Sequence, residues 1–99
     1  MQGKWKVTEV NYITDNDTIK DFPPNMFFIF YGTTYQTLLG DTINESGTYD
    51  VNFKVTQITF YSILGINTMI IEEQSDVYQH WRSKNKIIDF YLDFKLEKQ

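Results

Sequence analysis

Cysteine is absent from these 99 residues, and so is alanine. Without cysteine there are no disulfides and no thiolate chemistry, and the redox compartment stays open. Alanine is the best helix former, so its absence disfavours a helical bundle. Histidine occurs once, at His80, so no His-based metal cluster and no Ser-His dyad with a spare base can be assembled. No run approaches the roughly 18 apolar residues of a membrane span. The nine basic residues are scattered, with nothing denser than Lys84-Asn85-Lys86, and the net charge is −4. Nucleic acid is therefore a poor partner, because phosphate binding needs a concentrated basic face. Gly-rich phosphate cradles and activated-serine contexts are missing too, and no cofactor is implied.

Aromatic residues are abundant: seven Tyr, eight Phe and two Trp, 17% of the chain. Such a composition is rich in strand formers and supplies ample core for one domain over residues 1–99. The first strand runs from about Lys4 to Ile13. Trp5 and Val7 face one way, then Val10 and Tyr12 take over. That one-residue slip near Glu9 predicts a bulge or sharp bend. Residues 14–25 lack periodicity and contain Pro23-Pro24, which predicts a long loop with Ile19 and Phe22 as apolar anchors. A short helical turn could start after Asp15 or Asp17.

Met26 to Tyr31 is apolar on both faces, Phe28 and Phe30 on one and Phe27, Ile29 and Tyr31 on the other. Gly32 then marks a turn or a bulge, and a strand resumes from Thr33 to Leu39. Gly40 to Ser46 reads as turn chemistry. The next strand follows with Tyr49, Val51 and Phe53 inward. Gln57–Ser62 and Thr68–Glu73 flank a turn at Leu64-Gly65-Ile66-Asn67. In Asp76–Arg82, Val77, Gln79 and Trp81 oppose Tyr78, His80 and Arg82. After an exposed turn at 83–86, Ile88, Phe90, Leu92, Phe94 and Leu96 alternate with Asp89, Tyr91, Asp93, Lys95 and Glu97, one buried face and one wet face. Seven or eight strands at about ten-residue spacing predict an all-β fold, and sequential pairing favours a small antiparallel up-and-down (meander) barrel, which removes open edges.

Gly3-Lys4-Trp5 at the start of the first strand, together with Gly47-Thr48-Tyr49 later, resembles the lipocalin family, in particular its short bacterial lipocalin-like domains. The resemblance implies an eight-stranded barrel closed at one end by Gly3 and Trp5, with the 14–25 loop over the open mouth. It implies a non-enzymatic protein binding a small apolar ligand in or at that mouth. It also favours an exported, often lipid-anchored protein over a cytoplasmic one. Arg82 would then stack on Trp5.

Among chemistry-bearing residues, Glu72 and Glu73 are adjacent in a strand and face opposite ways, so they cannot cooperate. Asp89 and Asp93 fall on the wet face, and His80 reads as an ordinary surface residue. Asp15, Asp17 and Asp21 lack the glycine and terminal glutamate of a calcium loop. Asn16 and Asn44 fit glycosylation acceptors in loops. The apolar interior remains: Phe28, Phe30, Tyr35, Tyr49, Val51, Ile58, Phe60, Met69, Ile71, Trp81, Phe90, Leu92 and Phe94 are the candidate lining, with Phe22 and Tyr35 at the mouth. So many rings favour a filled core over a deep cup. The rival expectation is an interaction or structural module acting through Met26–Tyr31 and Tyr78–Arg82, with a homodimer formed through residues 26–31. A cavity of roughly 300 Å³ or more would mark the ligand binder. A filled core with an exposed apolar patch would mark the module.

Overall fold

A computed structural model describes residues 1–21 and 25–99. Its strands are β1 (Gly3–Ile13), β2 (Thr18–Asp21), β3 (Met26–Tyr31), β4 (Thr34–Leu39), β5 (Thr42–Val51), β6 (Gln57–Ser62), β7 (Gly65–Gln74), β8 (Tyr78–Ser83) and β9 (Tyr91–Lys98). Neighbours pair antiparallel in the order β2-β1-β3-β4-β5-β6-β7-β8-β9, and β1 also pairs β9, so the sheet closes. The result is an eight-stranded meander barrel with β2 as an extra strand, and among the described residues there is no helix. The period-2 alternation of the sequence is what one buried face demands.

The slip near Glu9 is a bulge. Val7 pairs Leu96 and Glu9 pairs Lys95, leaving Thr8 as the extra residue. Its hydroxyl donates to the Lys95 carbonyl at 3.2 Å. Two further shifts place extra residues at Asn44 on β5 and Glu72 on β7. Gly32 is a turn: Tyr31 pairs Thr34 across it, with a φ of 60° that glycine adopts freely. Gly47 is required for another reason. A Cβ there would run into the Tyr61 carbonyl of β6, so the strands can approach only because the side chain is missing.

Four expectations need correction. The 14–25 loop carries β2 rather than a helical turn, and Val10–Ile13 pair it through Thr18–Asp21. Thr42 to Ser46 is already strand, because the Asn44 bulge lets β5 pair β4 from Leu39↔Thr42 onward. Gly65 starts β7, and the turn falls on Ile63-Leu64. The last strand begins at Tyr91, while Ile87 and Phe90 close a tight bridge before it. Phe22, Pro23 and Pro24 lie outside the described residues.

The core is an aromatic cluster. Trp81 is 0% exposed, with ring centroids of Phe28, Phe60 and Phe30 at 5.3, 5.8 and 6.3 Å. Tyr35 meets Phe60 edge-on at 4.8 Å. Edge-to-face pairs of this kind add to area burial. Trp5 sits at the end of the cluster rather than its centre, its indole N–H donating to the Gln2 carbonyl at 3.2 Å.

Candidate functional site

Of the candidate lining residues, Phe28, Phe30, Tyr35, Ile58, Phe60, Met69, Ile71 and Trp81 are buried together, with Tyr49, Val51, Leu92 and Phe94 packed against them. They fill the barrel. The space left beside Tyr35, among Phe28, Glu45, Phe60, Asn67, Met69 and Phe94, is about 60 Å³. That holds a water or a methyl-sized group, far below a drug-sized ligand. Among the described residues Thr37 Oγ1 is buried without a hydrogen-bond partner, and the Tyr35 hydroxyl has only Ser62 and Glu45 near it. Burial pushes the Tyr35 phenol above its ordinary range. Phe90 stands apart: it meets Tyr12 edge-on at 5.1 Å, outside the main cluster. Phe53, expected inward, is 102% exposed in the loop after β5.

A wider concavity is at the other end. Between β1, the 52–56 loop and the β7–β8 turn lies a solvent-open basin of about 600 Å³, bounded by Met1, Gln2, Trp5, Val51, Val55, Gln74, Ser75, Asp76, Gln79 and Lys98. Trp5 and Gln79 are its buried floor. Lys98 passes over Gly3 and brings its ammonium 5.9 Å from the Trp5 ring centroid. Arg82, expected on Trp5, instead pairs Glu72 at 2.9 Å and lies 5.7 Å from the Tyr91 ring. On the basin's edge, Asn52 organises its loop: Oδ1 accepts from the amides of Thr56 and Gln57 at 2.8 and 2.9 Å, and Nδ2 donates to Thr56 Oγ1 at 2.8 Å. This framework holds Val55 at a φ of 56°, a left-handed conformation that a β-branched residue adopts only under constraint.

A third cluster lies on the outer wall. Asp93, expected on a wet face, is 5% exposed. His80 Nε2 donates to its Oδ2 at 2.7 Å and Asn11 Nδ2 to its Oδ1 at 3.3 Å. Beside them Glu9 takes Lys95 and Lys20 at 2.9 and 3.1 Å, and hydrogen bonds first from Lys95, then from Lys20, hold its carboxyl below the ordinary range. Strand closure brings Asn11 to Asp93, 82 residues apart, so no local pattern could reveal the cluster. The acidic residues of the 14–25 segment are engaged with neighbouring side chains and backbone. Asp15 pairs Lys86 at 3.0 Å, Asp17 Oδ1 accepts from the Thr18 amide, and Asp21 accepts from the Tyr12 hydroxyl.

No protein-family model matches the chain, and no curated protein is significantly similar to it in sequence. The likeness to lipocalins therefore stands on architecture, the eight-stranded antiparallel up-and-down barrel. Sequence reasoning missed Gln79 and Lys98, which the structure places on the basin. A signal for Gln79 existed: a polar amide on the same strand face as Trp81 must have a partner in the interior.

Proposed function

We propose that this is a non-enzymatic, lipocalin-like binding protein for a small, largely apolar molecule, and that the molecule sits in the Trp5-end basin rather than inside the barrel. One observation carries the reading: the basin offers about 600 Å³ over the buried Trp5 and Gln79, whereas the gap beside Tyr35 is about 60 Å³ and the groove of about 590 Å³ along Ile29 and Tyr31 runs over the outer wall. A concave site of several hundred Å³ with an aromatic floor and a few converging polar groups is the usual form of a small-molecule site. The acid and base side chains support a non-catalytic reading, since His80, Asp93, Glu9, Glu72 and Arg82 are engaged with one another or with lysines in the wall.

Titration with 1-octanol followed by heteronuclear NMR tests the location. The expected result is movement of the Trp5 indole and Val51 methyl signals while the Trp81 indole and Met69 methyl stay still. Movement at Met69 and Asn67 instead would put the ligand at the mouth and overturn the basin assignment.

A second reading, a homodimer through residues 26–31, draws on the outer face of β3. Tyr31 is 83% exposed beside a groove formed with Ile29, Gln36 and Thr48. Phe27 counts against it, because Lys4 places its ammonium 4.4 Å above that ring and so already covers it. Sedimentation at tens of micromolar in high salt distinguishes the two. A dimer that Phe27→Glu converts to monomer favours the module, and a monomer near 11.8 kDa removes it.

A further inference from the structure

Gln79 is only 4% exposed, yet half of its amide is unused. Its Oε1 accepts from Trp81 Nε1 at 3.1 Å. An indole nitrogen only donates, so this bond fixes the amide orientation, with the oxygen toward Trp81 and the NH₂ on the basin side. Among the described residues, nothing accepts a hydrogen bond from that NH₂. That NH₂ opens onto the solvent-filled basin, where a ligand acceptor would take the place of water. Lys98, also on the basin, forms no ion pair among the described residues, and its ammonium lies against the Trp5 ring.

We infer that the basin binds a small monocarboxylate with an apolar body, the carboxylate taking the Gln79 NH₂ and the Lys98 ammonium and the body lying on Trp5, Val51 and Val55. The inference rests on the basin being the ligand site and adds the chemical class. A charge-assisted bond to a carboxylate is stronger than one to a neutral acceptor, and Lys98 supplies a compensating charge at close range. The competing feature is Asp76, which would favour an amine. Asp76 is an exposed residue on the β7–β8 turn, where water screens its pull, whereas Gln79 is fixed in the buried floor by its bond to Trp81. The buried group dominates selection.

Octanoate, 1-octanol and octylamine share one tail and differ in headgroup, so calorimetric titration of the intact chain with each isolates the headgroup contribution. Octanoate is expected to bind at least about tenfold tighter than octanol, the scale of one charge-assisted hydrogen bond. Gln79→Glu keeps an acceptor for Trp81 and replaces the donor with a repelling carboxylate. It should abolish the preference for octanoate, weakening octanoate severalfold more than octanol. Lys98→Met, at an exposed position, should weaken octanoate severalfold and spare octanol; it carries the test if Gln79→Glu does not fold. Equal affinities for octanoate and octanol, or tightest binding of octylamine, overturn the carboxylate assignment while the basin stands. Equal loss of both ligands in Gln79→Glu, with Lys98→Met neutral, reduces Gln79 to a structural role and also overturns it. Binding of none of the three by the unmutated chain removes the basin reading itself.

Discussion

The two ends of this barrel are closed by different means. At the mouth, the Ile63-Leu64 and Ile88-Asp89 turns point aliphatic side chains into water, with Ile63 101% exposed and Ile88 92%. Beneath them the barrel is filled, and the gap beside Tyr35 is about 60 Å³. At the Trp5 end a nearly buried ring and a half-used buried amide underlie a wide depression. Apolar surface on hairpin tips is exposed by geometry, since two residues in a tight turn have no neighbouring strand to cover them. At the basin floor a buried side chain instead turns one hydrogen-bonding group to the open side, where water or a ligand completes it. The first kind of exposure needs no function to explain it, and the second kind points to one.

The two tryptophans break or sharpen this comparison with the largest effect. Trp81→Ala removes the centre of the aromatic cluster and should cost about 4–5 kcal/mol, enough to leave a domain of this size barely folded. Trp5→Ala, at the floor of an open basin where water can fill the space, should cost less, about 3 kcal/mol. Urea titration of both measures the difference. Equal losses would mean that the basin floor is packed as tightly as the interior.

Gly47→Ala comes next. A methyl against the Tyr61 carbonyl must push β5 from β6, and overpacking of this sort costs about 1–3 kcal/mol. A neutral result would show that the two strands have slack there.

A matched pair then contrasts the ends through strain. Val55 near the basin and Ile88 near the mouth both hold left-handed backbone, with φ of 56° and 60°. Asparagine tolerates that region, so Val55→Asn and Ile88→Asn should each raise stability by about 0.5–1 kcal/mol. Only Val55→Asn should also weaken octanol binding. Loss of binding in Ile88→Asn would move the site to the mouth.

The smallest effect belongs to the wall between the ends. The Glu9 carboxyl is held below its ordinary range by Lys95 and Lys20. Its contribution is present in full above the ordinary carboxylate pKa and is lost as pH falls through the lowered folded value. The gap in melting temperature between the unmutated chain and Glu9→Gln should hold from neutral pH down to the ordinary carboxylate range and close below it. A gap that closes well above that range would assign the effect to another group.

The meander was legible because each strand reports its own pairing: alternation gives the faces, and Gly32 and the Gly40–Ser46 stretch mark breaks, though whether Gly32 turns or bulges and where β5 starts came only from the pairing. Even the bulge at Thr8 was written locally, as the slip from Trp5 and Val7 to Val10 and Tyr12. Alternation specifies which side of the sheet a residue takes and nothing about what covers that side. Asp93 and Phe53 mark that limit. Asp93 has outward parity and is buried because closure sets β1 and β8 on either side of β9, delivering Asn11 and His80 to its carboxylate. Phe53 continues an inward series and is exposed because the strand ends at Val51, before it. The basin is a product of closure in the same sense. Trp5, Val55, Gln79 and Lys98 come from four separate stretches of chain, and only a barrel that joins its first strand to its last brings them to one hollow.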